Sequence, residues 1–326
     1  MPIADTWNVT RPGQVGATGA INALHLEEYT GILTGTIARK SVLDPWVKRR
    51  TVKGTSVISN KAIGESTLQV VTPGAALDGT KNKVGKVTLT IDTLIAARAM
   101  FPLLETWQAD YDVRSETGIE HGKKFTKFTD QAFFIQAVKA ALRTTTVYSG
   151  VDAASGHFGG TQKTLAGAND HLDPAKLYAA LADLFAGMEA KDVDPRADDI
   201  MVAVKPAEYY TLLQNEQLIN INYVTAKGTS IETMALKGYG VPIVSSNNFV
   251  GGQNIASHEL GANYTGDFTK VVAAAFNADA LLAGETIPLT PQLYWSDEYL
   301  SWVVGAYTSF GVTVDKAHFA GAILKP

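Results

Sequence analysis

The pattern of apolar and polar positions is clearest between residues 51 and 92, where two extended arms flank a turn-rich tip. The first arm runs from Thr51 to Ser59, and the tip holds Pro73, Gly74, Asp78, Gly79, Lys81 and Asn82. In the second arm, Val87, Leu89 and Ile91 alternate with Lys86, Thr88 and Thr90. That alternation is the period-two signal of a strand with one apolar face. Two strands alone are marginally stable in water, so this ribbon needs a surface supplied from elsewhere. The expected surface is another copy of the same chain, with Val57, Leu68, Val87, Leu89 and Ile91 as the inter-subunit contacts.

The rest of the chain divides by its periodicity. Residues 1–18 are rich in Gly, Thr and Pro and read as an arm, followed by a helix marked by Ile21, Leu24, Tyr29, Ile32 and Ile37. After the ribbon, Pro102 to Pro174 contains no further proline, and one long helix is predicted from about Glu105 to Arg143. Phe125, Phe128, Ala132, Ile135, Val138 and Leu142 recur at three- and four-residue steps, which puts them on one side. Residues 149–171 read as a surface loop; Gly159, Gly160, Lys163 and Thr164 lack the spacing of a phosphate-binding loop. Asp173-Pro174 is a helix start, a capping side chain followed by proline in the first turn. Short buried strands are predicted at 200–204, 240–244 and 271–276. The polar turn Ser245-Ser-Asn-Asn248 follows the second of these. From Leu300 to Val314, Leu300, Trp302, Val304, Ala306, Phe310, Val312 and Val314 are placed along one side of an unusually long strand.

Composition adds three points. The chain has 326 residues, room for about two domains, and only 18% charged residues against a usual value of about 25%. Interface cores are depleted of charge, so much of this surface is expected to meet protein. A net charge of −4 speaks against a basic nucleic-acid coat, and the small cluster Lys48, Arg49, Arg50 and Lys53 is read as solvated or paired at an interface. With no cysteine there is no disulfide framework and no thiolate chemistry. No signal peptide is visible, and the uncharged run late in the chain is too short and polar for a membrane span, so no membrane partner is expected.

Candidate chemistry is sparse. No GxSxG, HExxH or GxGxxG pattern occurs. The six histidines are scattered and are read as polar surface or interface residues, and the carboxylate pairs Asp110/Asp112 and Asp198/Asp199 are read as solvated charge. No catalytic, metal-binding or cofactor residues are assigned, and the chain is not expected to be an enzyme.

Four stretches, in order, carry a family likeness. They are Leu24 to Lys40; Arg50 to Ser56 with Thr72-Pro-Gly74; Ile91-Asp92 through Tyr111 to Ser115 and Asp130; and Val204 to Leu213 with Gly240-Val-Pro242 and Ser245 to Asn248. Together they resemble the major capsid proteins of tailed double-stranded-DNA phages, and most nearly those of short-tailed phages. The resemblance implies an α+β, HK97-like capsid fold with an N-terminal arm (1–50), an extended β-hairpin loop (51–92) and a peripheral domain with a spine helix (93–172). A mostly axial domain (173–290) and strands returning to the peripheral domain (291–326) complete it. Phe125, Phe128, Ile135, Val138 and Leu142 would be the core face of the spine helix. The implied role is an icosahedral shell of hexamers and pentamers, built in the bacterial host cytoplasm with a scaffolding protein and a portal protein. That shell would enclose double-stranded DNA held by nonspecific contacts. Lys123, Lys124 and Lys127 are the DNA-contact candidates if their face points inward. The alternatives are a nanocompartment of the same fold holding cargo protein and an enzyme of unrecognised class. Some relatives weld subunits through a lysine–asparagine bond; Lys81 and Lys83 lie near the loop tip, but no pattern identifies a partner, and no crosslink is expected.

Overall fold

The computed structural model describes residues 43, 46–66, 68, 70, 72–74, 79, 81–108, 113–215 and 236–326. The predicted N-terminal arm and its helix therefore lie outside the described residues, as do Asp110 and Asp112.

A 30-residue helix, α2 (Val113–Leu142), organises the molecule. At 1.5 Å per residue it spans about 45 Å. The sequence pattern merged it with a separate short helix, α1 (Leu103–Gln108), which ends before it. Two sheets lie against α2. The first is four-stranded, in the order β1 (Arg49–Thr51), β12 (Leu281–Ser296), β13 (Ser301–Val314), β4 (Ile95–Pro102). Its centre is a long antiparallel hairpin, with register from Leu281↔Val314 to Ser296↔Ser301. The second sheet has six strands, in the order β5 (Thr161–Thr164), β14 (Ala320–Leu324), β11 (Val271–Phe276), β6 (Met201–Val204), β8 (Val241–Ser245), β7 (Leu236–Gly238). The last strand, β14, thus pairs with β11 and β5 in this second sheet, away from β12 and β13.

Each face of the six-stranded sheet has its own helix. Successive residues of a strand point to opposite faces. Accordingly Ala274, Phe276, Met201, Ala203 and Ala322 join the core around α2, while Ala273, Ala275, Val202, Val204 and Ile323 pack with α3 (Pro174–Glu189). Helix α3 begins as its sequence requires, with the Asp173 carboxylate accepting from the Ala175 and Lys176 amides at 3.0 and 3.4 Å. The strands at the centre of this sheet, β6 and β11, are buried at every position, as expected where helices cover both faces.

Two expectations change here. The stretch 149–171 holds β5, paired in parallel with β14, and 3-10 turns at Ala153–Ser155 and Asp170–Leu172, so it is more than a surface loop. Gly160 shows why it fits: a side chain there would strike the carbonyls of Ala140 and Ala141 at the end of α2. In the long strand, Leu300 falls in the turn at a φ of 43°, exposed, and off the alternating side to which its spacing assigned it.

Candidate assembly interface

The ribbon is built from β2 (Val57–Ile63) and β3 (Val84–Thr90), paired antiparallel with Ile58 opposite Leu89, Asn60 opposite Val87 and Lys61 opposite Lys86. Its inner face carries Ile58, Ala62, Val87 and Leu89, with Ile91 just beyond β3. These pack with Tyr148, Val151 and Leu282 of the same chain in a separate small core. Two glycines make the docking possible. A β-carbon at Gly284 of β12 would lie 2.0 Å from the Ile58 side chain, and one at Gly311 of β13 would lie 3.2 Å from Leu89 and Ile91. The ribbon thus covers the face of the β12–β13 hairpin opposite α2. Neighbouring residues of β12 mark the division, because Leu282 packs with the ribbon and Ala283 with the spine core.

This placement corrects the expectation that the whole apolar stripe awaits a second copy. Val87, Leu89 and Ile91 are closed off within their own chain. Val57 does not belong with them. It pairs with Thr90 on the opposite side of the ribbon and stays 44% exposed, while Ile58 takes the inward position. A one-residue shift in a strand moves a side chain to the other face, and the first arm is too poor in large apolar residues to have fixed that phase. Leu68, toward the tip, is 94% exposed, and Val70 beside it is fully exposed.

A polar cluster pins the ribbon's base. Asn60 Nδ2 donates to Asp315 Oδ2 at 2.7 Å and to the Tyr148 hydroxyl oxygen at 3.3 Å, and the Tyr148 hydroxyl donates to Asp315 Oδ1. Asp315 is buried, and these bonds satisfy both of its carboxyl oxygens. Burial and the adjacent Asp315 carboxylate push the Tyr148 hydroxyl well above its ordinary pKa. Farther out, Lys83 pairs with Asp152 at 2.9 Å, which holds that exposed carboxyl below its usual range.

The spine candidates lie as follows. Phe125, Ile135 and Val138 are buried, while Phe128 and Leu142 are partly buried against the same core. The stripe reading was incomplete, because Phe133, Phe134, Ala137, Ala140 and Ala141 are buried too. The C-terminal half of α2 is enclosed on nearly all sides because both sheets lean on it. Phe134 meets Phe249 and Phe276 edge-on at 5.5 and 6.2 Å. Asp130, also buried, accepts from Asn248 Nδ2 at 3.2 Å, joining the spine to the polar turn after β8. His258, read as a surface or interface residue, instead stacks between Phe128 and Tyr264 at 5.1 and 5.3 Å, and burial lowers its pKa. Of the basic cluster, Lys48 bonds Asp279 at 3.0 Å and Arg49 lies over the Phe133 ring at 5.3 Å, while Arg50 and Lys53 are exposed. Among the described residues no helix is long and apolar enough to cross a membrane, and no cluster of three or more His, Asp or Glu residues is placed to hold a metal.

Sequence reasoning missed one surface. At the end of the four-stranded sheet, the turn between β12 and β13 meets α1, with the Leu103 amide donating to the Leu300 carbonyl at 3.0 Å. Leu103, Leu104, Trp107, Tyr299 and Leu300 are all exposed there, Trp107 by 81%. Trp107 on a short helix beside a proline was the available signal. A monomer seldom leaves so many large apolar groups together in water.

A long helix shared by two sheets, a separate β-ribbon and a cluster of exposed apolar groups describe a subunit made to join others. The family model described as "Gp10A-like: Major capsid protein" matches residues 62–285, more than half of the chain. The chain belongs to this family of major capsid proteins. Among solved structures, the capsid of the cyanophage P-SCSP1u is 21% identical, with a TM-score of 0.79 over 98% of this chain and 99% of that one. The mature capsid of bacteriophage PhiM1 is also 21% identical, with a TM-score of 0.77 over 100% and 99%. A chain of Mycobacterium phage Che8 reaches 0.64 at 16% identity, over 91% and 96%. These likenesses show the fold, which is the HK97-like capsid fold. No curated protein matches the sequence. As a member of this family the protein builds the multimeric capsid shell of the virion.

Proposed function

We propose that this capsid protein forms an icosahedral shell of hexamers and pentamers around double-stranded DNA. Assembly takes place in the host cytoplasm with a scaffolding protein and a portal protein. The ribbon of each subunit lies across its neighbour, with Val57 and Leu68 among the contacts. Residues 1–50 serve as an arm, 93–172 as the peripheral unit and 173–290 mostly as the axial one. Packaged DNA is met through nonspecific charge, with Lys123, Lys124 and Lys127 of α2 as the candidates; Lys124 and Lys127 are exposed, and Lys123 pairs with Glu120 at 2.7 Å.

The observation that carries this reading is the ribbon's asymmetry. Its inner face is buried at home, while its outer face and tip leave Val57, Ile63, Leu68, Val70 and Val84 exposed. Such a ribbon gives each subunit a modest contact, which a closed lattice multiplies through avidity. Deleting Pro73–Lys83 is expected to leave folded subunits that form no shells. Intact particles from that deletion, seen by electron microscopy, would overturn the assembly role of the ribbon.

A further inference from the structure

The outer face of the ribbon has a feature that folding alone disfavours. Lys61 and Lys86 sit directly opposite each other across the strand pair, both exposed, and neither has an ion-pair partner among the described residues. Like charges facing each other across a strand pair are destabilising. They are framed by apolar groups, with Ile63 opposite Val84 on one side and Val57 beyond Ser59 on the other. This is a basic centre in an apolar frame.

The chain carries the reverse pattern elsewhere. The turn between β12 and β13 exposes Asp297 and Glu298 next to Tyr299 and Leu300, beside Trp107 and Leu104 of α1. The Trp295 indole donates to Asp297 Oδ1 at 2.6 Å, and neither carboxylate has an ion-pair partner among the described residues. This is an acidic turn in an aromatic and aliphatic frame. Aromatic residues are enriched at interface cores and among the groups whose loss costs most binding energy.

We infer that the outer face of the ribbon seats on the β12–β13 turn and α1 of an adjacent copy, with Lys61 and Lys86 facing Asp297 and Glu298. The inference rests on the reading that the ribbon lies across a neighbour, and names the surface it meets there. A second copy is the occupant because both halves belong to one chain of a shell-building family, are opposite in charge and are matched in apolar character. The contact is heterologous: one patch meets a different patch of the next subunit. Repetition then closes rings and extends lattices without a separate adaptor.

Charge reversal tests it. Like charges brought together at an interface repel, so Lys61→Glu with Lys86→Glu is expected to reduce the yield of shells by about tenfold or more. Asp297→Lys with Glu298→Lys is expected to do the same, and the four changes together to restore assembly. If ribbon reversal impairs assembly and the turn reversal does not rescue it, the turn is not the partner, although the ribbon still engages a neighbour. If ribbon reversal leaves assembly unchanged, both this pairing and the ribbon's outer contact are wrong. The absence of native cysteine permits an independent check that leaves all four charges in place. Val84→Cys with Tyr299→Cys, oxidised in purified shells, is expected to give a ladder of linked subunits on a denaturing gel. Monomer alone would overturn the pairing.

Discussion

The two structures that cover opposite faces of the β12–β13 hairpin are held in very different ways. On one face, α2 presents Phe133, Phe134, Ile135 and Val138 to a core that also takes in the six-stranded sheet. On the other, the ribbon offers one row of small and medium side chains, admitted by two glycines and pinned by the Asn60–Tyr148–Asp315 cluster. The C-terminal half of the spine is enclosed on nearly all sides. The ribbon is half closed. The difference separates two tasks, because a subunit must fold before it assembles, and the helix serves the first while the ribbon's free face serves the second.

The largest effect is expected on the spine side. Ile135→Asp places an unpaired charge in a site of 0% exposure, which costs several kcal/mol. The expected outcome is loss of soluble folded subunit. Soluble protein with unchanged melting would mean that α2 is not the centre of the core. On the ribbon side, Gly284→Val drives a β-carbon into Ile58 and is expected to cost about 1–3 kcal/mol through overpacking. Hydrogen exchange should quicken across Val57–Ile63 and Val84–Thr90 while α2 stays protected. If α2 loosens equally, the two faces are not independent.

Acid acts between these regions. His318, near β14, is partly buried beside Lys316, His157 and Lys191, and its pKa is lowered to about 4, chiefly by that burial. A lowered histidine pKa means that the unfolded chain takes up a proton before the folded one does. Stability is therefore full above the unfolded pKa of about 6.5 and falls as pH drops from there toward 4. Allowing for partial solvent screening, the loss is about 2 kcal/mol. His318→Gln should flatten that part of the stability profile in denaturant titrations at pH 7 and pH 4.5. The smallest effect belongs to Tyr148→Phe, which removes one bond to a buried carboxylate and leaves Asn60 in place. About 1–2 kcal/mol is expected, read as a lower melting midpoint with the spine unaltered.

What the sequence revealed follows the same division. Period-two alternation in Val87, Leu89 and Ile91 marked a strand with an apolar side, and Asp173-Pro174 marked the start of α3, because both signals are local. The phase of the first arm was not readable, since Val57 and Ile58 are equally apolar and only pairing with Leu89 selects Ile58 for the inside. Nor was the ribbon's docking surface. It depends on Gly284 and Gly311, distant residues whose significance is the space they leave for Ile58 and Leu89. The spine stripe was found, but Phe133 and Phe134 lie off it and become core only because two sheets converge on one helix. Asn60, Tyr148 and Asp315 are far apart in the chain, and nothing local announces their meeting.

The central claim is that the ribbon's inner face is satisfied within the subunit and its outer face by a neighbour. Lysine labelling read by mass spectrometry, on unassembled subunits and on finished shells of the same protein, tests it most directly. Lys61 and Lys86 should react readily in the free subunit and become protected in the shell. Equal reactivity in both states would contradict the account.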